Sequence, residues 1–316
     1  RLLTGDAELT GLPGTPTGTL TVAADTMRAA GFAIDRAFMR ATLDGTGSSV
    51  IGFDLAGANG TRAEARAAVT RSGDTTRVRL DSLLLRTRDL RWMLGWPAAF
   101  TSGPQGFFVD SFQIGGRDAS MFRIAGSVPR DGAIDLAFRA RGLPVADLAE
   151  LLQVAGTQEG RIALDGRLQG TRAVPTLEAR ASLRNGLVAG VRLDTLDFTA
   201  AAAADVLRFT AALGSPARPM MRAEGTLPLA LRLDGAGPGM LEDQPVSATV
   251  RADTVSLRIL ESLAKRGSGD PGNFGLNLDL GGTWRDPRFD GGLLVRDGDL
   301  IVAPLGDVRW RNITAD

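Results

Sequence analysis

The chain has 316 residues, with 36 basic and 36 acidic side chains and a net charge of zero. Balanced charge without a basic stripe gives nucleic acid no electrostatic footing. The absence of Cys and His excludes disulfides, thiolate metal sites and imidazole acid–base chemistry.

From the first residues onward the apolar period is two. The Gly11-x₄-Pro16 element reads as a corner between strands, because a proline without an N–H suits a strand's start. Asp44-Gly45, Asn59-Gly60, Ser72-Gly73 and Asp131-Gly132 then punctuate alternating runs, as do Asn185-Gly186 and Asp297-Gly298 further on. Such dipeptides supply the positive φ of tight hairpins, so an antiparallel meander is expected.

Residues 83–116 form an aromatic-rich insert holding Trp92, Trp96, Phe100, Phe107, Phe108 and Phe112. Pro97 and Pro104 are expected to bound a loop there, and the aromatic cluster reads first as a packed corner. Beyond it, Ile134, Leu136 and Phe138 alternate with Asp135, Ala137 and Arg139. Residues 143–153 switch to helical spacing, and residues 255–264 do the same, so a short amphipathic helix is expected at each place.

Strand alternation resumes with Ile162, Leu164 and Leu168, then with Leu177, Ala179, Ala181 and Leu183, and Leu193 follows. It returns in Phe274, Leu276, Leu278 and Leu280, and after the Gly282-x₄-Pro287 corner in Phe289 and Val295. One face of each strand is apolar, and the other carries Arg, Asp, Thr and Ser.

The pattern repeats. A shift of 112 carries Gly170 to Gly282, Pro175 to Pro287, Arg184 to Arg296 and Gly186 to Gly298. A weaker copy at a shift of 159 carries Gly11 to Gly170 and Pro16 to Pro175. The expected organisation is a single elongated repeat region over residues 1–316, with approximate repeats at 1–60, 134–213 and 246–316. The chain opens in mid-pattern, so it is expected to be an internal segment of a longer protein. At about 4.8 Å per strand, some 18 strands would extend roughly 85 Å.

Catalytic signatures are missing from this pattern. There is no Gly-x-Ser-x-Gly, phosphate-binding loop or zinc motif. Asp297 and Asp299 lack the remaining spacing of a calcium loop, and "GAGPGM" at 235–240 reads as a linker. The expectation is a protein that is not an enzyme and uses no cofactor or metal.

The run "LDGRLQGTRAVPTLEARASLRNGL" at 164–187 resembles a known repeat, as do "DSLLLR" with "WMLGWP" at 81–97 and "GLPVADLAELL" at 142–152. Together they resemble the central repeat region of the TamB (translocation and assembly module) branch of the AsmA-like, bridge-type lipid-transfer family. The family's N-terminal membrane helix and C-terminal conserved domain have no counterpart in these residues.

The resemblance implies a mostly β protein, an elongated, curved antiparallel sheet of the β-taco or half-pipe kind. It implies a periplasmic location with an inner-membrane anchor outside this segment. It also implies phospholipid as cargo between the two membranes, and an Omp85-type outer-membrane barrel resembling TamA as a partner of other parts of the protein.

On that reading the residues lining the lipid groove are Ile134, Leu136, Phe138, Ile162, Leu164, Leu168, Leu177, Leu183, Leu193, Phe274, Leu276, Leu278, Leu280, Phe289 and Val295. A structural scaffold for outer-membrane protein assembly is the alternative, since a closed β-sandwich core alternates in the same way. A carbohydrate-active solenoid would need clustered carboxylates, and a membrane barrel would need aromatic girdles.

Overall fold

The computed structural model describes residues 2–12, 16–29, 32–57, 60–87, 91–116, 119–151, 159–188, 191–215, 218–234, 237–256, 273–301 and 309–315. The protein is mostly β and antiparallel throughout. Backbone contacts divide it into two compact units. The first is Arg1–Ala155 with Arg167–Arg172, and the second is Gly156–Gly166 with Ala173–Asp316.

In the first unit β1 (Leu2–Thr10), β2 (Thr17–Ala29), β3 (Phe32–Asp44), β4 (Ser48–Gly57), β5 (Arg62–Ser72) and β6 (Thr75–Arg86) each pair with the next. One place in the ladder is then shared by two short strands. β7 (Arg91–Leu94) and β8 (Ala98–Gly103) both lie between β6 and β9 (Gly106–Gly115). β10 (Met121–Pro129) and β11 (Ile134–Pro144) continue the meander, and α1 (Val145–Leu151) follows.

The interval between Pro97 and Pro104 is therefore strand β8, not the expected loop. Both prolines flank the strand, where a missing N–H leaves no ladder bond unmade.

β12 (Glu159–Gly170) starts in the second unit, and its residues from Arg167 belong to the first. In the second unit β13 (Pro175–Val188), β14 (Val191–Ala203), β15 (Val206–Ser215) and β16 (Arg218–Leu231) pair in sequence. β16 pairs at its far end with β17 (Pro238–Met240) and along its middle with β18 (Ser247–Ser256). β19 (Asn273–Gly282), β20 (Pro287–Ile301) and β21 (Arg309–Ala315) extend the ladder.

The 112-residue shift is visible in the fold. β13 opens at Pro175 and β20 at Pro287, and the strands before them end at Gly170 (φ 88°) and Gly282 (φ 83°). A left-handed backbone at both corners explains why glycine recurs there. Asp44-Gly45, Ser72-Gly73 and Asp131-Gly132 are turns where the alternation puts them, and Asn59 lies outside the described residues. At the β3–β4 hairpin the Asp44 carboxylate accepts hydrogen bonds from the Thr46 amide (2.8 Å), the Thr46 hydroxyl (2.7 Å) and the Ser48 amide (3.2 Å).

Two dipeptides behave otherwise. Asn185-Gly186 and Asp297-Gly298 lie inside β13 and β20, where hairpins were expected. Asn185 is left-handed (φ 49°), and a Cβ on Gly186 would run into the Leu183 side chain. The dipeptide thus turns the strand over without ending it. Of the two expected helices, α1 is present. For the second, Val255 and Ser256 belong to strand β18, and residues from 257 lie outside the described residues.

Among the described residues of the second unit Ala252, Val255 and Phe274 form a buried cluster, with Met221 and Leu276 against them.

Candidate functional site

Residues paired across an antiparallel ladder point to the same side of the sheet. The registers therefore define which side chains share a face. In the second unit one row runs Leu183, Leu196, Leu213, Met221, Ala252 and Leu276. The next runs Ala181, Phe198, Ala211, Ala223, Val250, Leu278 and Gly291. A third runs Ala179, Ala200, Phe209, Gly225, Ala248, Leu280 and Phe289.

These rows cross from β13 to β19 or β20 without one charged or hydrogen-bonding side chain. The opposite face is polar. One of its rows is Arg180, Thr199, Thr210, Glu224, Thr249, Asp279 and Asp290. Arg184 and Asp197 form an ion pair there at 2.7 Å.

The first unit is built alike. Ala7, Leu20, Ala41, Ile51, Ala67, Leu80 and Ala98 form one apolar row, and Gly5, Val22, Met39, Phe53, Ala65 and Leu83 form the next. Phe100 and Phe112 of the aromatic insert belong to this face, whereas Phe108 stands in the row of Arg77, Thr101 and Ser127, and Trp96 lies against Ser111 and Arg123. Phe100 stands 5.8 Å from Phe112, and Phe112 stands 6.5 Å from Phe122 in an edge-on contact. Ile124, opposite Phe112, continues the face to Phe138 on β11.

Bulges keep the faces continuous. Asp81 is an extra residue between the pairs Ala67–Leu80 and Arg66–Ser82, so Leu80 and Leu83 share a side although three residues apart. The same holds for Val109 and Phe112 on β9, and for Ala252 and Val255 on β18. Each bulge reverses the parity of its strand, and the apolar pattern reverses with it.

The face is not sealed. Ala179, Ala181, Leu207, Phe209, Ala223, Val250, Leu278 and Leu280 are all only half-buried. Phe198 keeps 38% and Phe289 66% of its surface exposed. A sandwich core of the same composition would bury these side chains almost fully.

The fifteen residues singled out by the alternation are distributed as follows. Ile134 is buried, and Leu136 and Phe138 are half-buried on the apolar face of β11. Ile162, Leu164 and Leu168 share one parity of β12 and are half-buried. Leu177 and Leu183 lie on the apolar rows of β13, and Phe274, Leu276, Leu278 and Leu280 on those of β19. Phe289 pairs with Leu280 and Val295 with Phe274; the Val295 side chain is outside the described residues. Leu193 stands opposite Gly186, where Asn185 breaks the alternation, and is buried. Leu196, Phe198, Phe209, Leu213 and Val250 complete the face, and the same period-two signal marks them in the sequence.

Among the described residues no cluster of His, Cys, Asp or Glu is able to hold a metal, and no helix is long and apolar enough to cross a membrane. Comparison with family models, curated proteins and solved structures finds no match.

Proposed function

We propose that this chain is a segment of a bridge-type lipid-transfer protein of the TamB and AsmA-like kind. Its apolar sheet face carries phospholipid acyl chains, in the periplasm, between the inner and outer membranes. The observation that supports this most is the run of registered apolar rows that stay half-exposed across strand after strand.

Physical chemistry makes such a face sufficient. Exposing an acyl chain of about 16 methylenes to water costs on the order of 13 kcal/mol, at about 0.8 kcal/mol per methylene. A continuous apolar surface removes most of that barrier without a catalytic group. Acyl chains offer no hydrogen bonds to be read, so Ala, Leu, Val and Phe serve interchangeably along the rows. The many alanines and glycines also leave volume for a guest.

Native mass spectrometry of the gently purified protein tests the reading. Co-purified phospholipid is the expected result. A clean protein mass would reject it and favour a scaffold. Leu164→Asp and Leu276→Asp are expected to reduce bound phospholipid while circular dichroism still reports the sheet. Variants that carry lipid normally would remove these positions from the path.

A further inference from the structure

The polar face of the first unit carries a second feature, independent of the apolar rows. One row there reads Arg40, Gly52, Arg66 and Ser82, and the row beside it reads Phe38, Asp54, Glu64 and Leu84. Together they border a shallow, solvent-open cleft of about 430 Å³ whose lining includes Phe38, Arg40, Gly52, Asp54, Glu64 and Arg66.

The cleft exists because of Gly52. A Cβ at that position would meet nothing within 4 Å. A side chain is thus missing between two guanidinium-bearing neighbours whose backbones are two strand spacings, about 10 Å, apart. The Arg40 guanidinium lies 5.8 Å from the centroid of the Phe38 ring.

The charges of the cleft balance in number but form no ion pair with one another. Asp54 and Glu64 are direct cross-strand partners, an arrangement that is repulsive for like charges. Among the described residues neither carboxylate is ion-paired, and neither is Arg40 or Arg66. Two cations flank a gap, and two anions face each other one row away, about 7 Å along the strands.

We propose that this cleft binds a zwitterionic phosphoamine, with phosphate between Arg40 and Arg66 and the ammonium group on Asp54 and Glu64. Phosphate matches the planar donor forks of two arginines. A primary ammonium offers three donors to two acceptor-only carboxylates and relieves their repulsion. Phosphoethanolamine, free or as a lipid headgroup, carries both charges within a few bonds of each other.

The test is an NMR titration of the protein with O-phosphoethanolamine, with inorganic phosphate and ethanolamine as comparators. Shifts are expected in β3–β6. Binding should be at least about fivefold tighter than for either comparator, and weakened about fivefold by Arg66→Gln and by Asp54→Asn, the scale of one exposed ion pair each. Gly52→Leu keeps every charge and fills the gap, and it should abolish binding. Its fold is checked by an unchanged spectrum away from β3–β6.

Equal affinity for inorganic phosphate and phosphoethanolamine would overturn the proposal, as would full binding by Gly52→Leu. Vesicles of phosphatidylethanolamine against phosphatidylglycerol then assign the source. Selective vesicle binding supports a headgroup site, and binding of the soluble compound alone supports a free ligand. The soluble probes carry no acyl chain, so this outcome is independent of whether the apolar face takes lipid.

Discussion

Single side chains show how little of this protein's order rests on charge. The Arg167 guanidinium grips both oxygens of Asp135, at 2.9 and 3.1 Å, and holds that carboxyl below its usual value of 3.8. Asp44 is held low as well, chiefly by the Thr46 hydroxyl. For both, the folded pKa lies below the unfolded one. Their contribution is present above the unfolded value and lost as pH falls through the lowered folded value, in the acid range below about pH 4.

Replacing Arg167 by Met should raise the Asp135 midpoint in a carboxyl-detected NMR titration. An unmoved midpoint would mean the grip does not persist in solution. Both groups are solvent-exposed, so neither should move the melting temperature at neutral pH by much. Apolar residues behave differently according to cover. Phe274 is 1% exposed, and Phe274→Ala should cost about 3–5 kcal/mol in a denaturant titration. Phe289 sits on the same face at 66% exposure, and Phe289→Ala should stay within about 0.5 kcal/mol while lowering co-purified lipid.

At the level of strands, alternation made most of the architecture legible. Ile134, Leu136 and Phe138 announce β11, and Phe274 to Leu280 announce β19, because a half-buried strand has a period of two and nothing else in the chain does. The bulges were not legible. A bulge appears in sequence only as two apolar residues at odd separation, such as Leu80 and Leu83, and a turn or a short helix produces the same spacing. Asn185-Gly186 misled for a related reason: the positive φ that closes a hairpin also turns a strand over in place. The cleft at Gly52 was hidden because its residues come from four strands, and only the register brings them into two adjacent rows.

These elements make a specific prediction. Inserting one alanine between Ser82 and Leu83 adds a residue that no partner on β5 matches and should drive Leu83 and Leu85 to the polar face. Proteolysis within β6 and a fall of several degrees in the melting temperature are expected, whereas Asp81→Asn should change little. If the insertion melts like the parent, the parity of β6 does not hold the ladder.

Across the whole molecule one construction recurs in both compact units: a meander with an oily side and a wet side, and a sequence copy 112 residues on that rebuilds the same corner at Gly282 and Pro287. The candidate lining was legible to the extent that it lies on regular strands. Leu193, opposite Gly186 and beside the left-handed Asn185, has the parity of Thr195 and Asp197 on β14 rather than that of Leu196 and Phe198, so counting by twos did not place it on the apolar rows.

The bulges carry one further consequence, for how such a chain is able to change over generations. Swapping one greasy residue for another leaves the oily side oily, so drift in identity is cheap. Away from a bulge, losing or gaining a single codon inside a strand inverts everything up to the next turn. Variation in length should therefore collect at hairpins and bulges or arrive two residues at a time, and distant relatives of this chain should agree in rhythm long after they have ceased to agree in spelling.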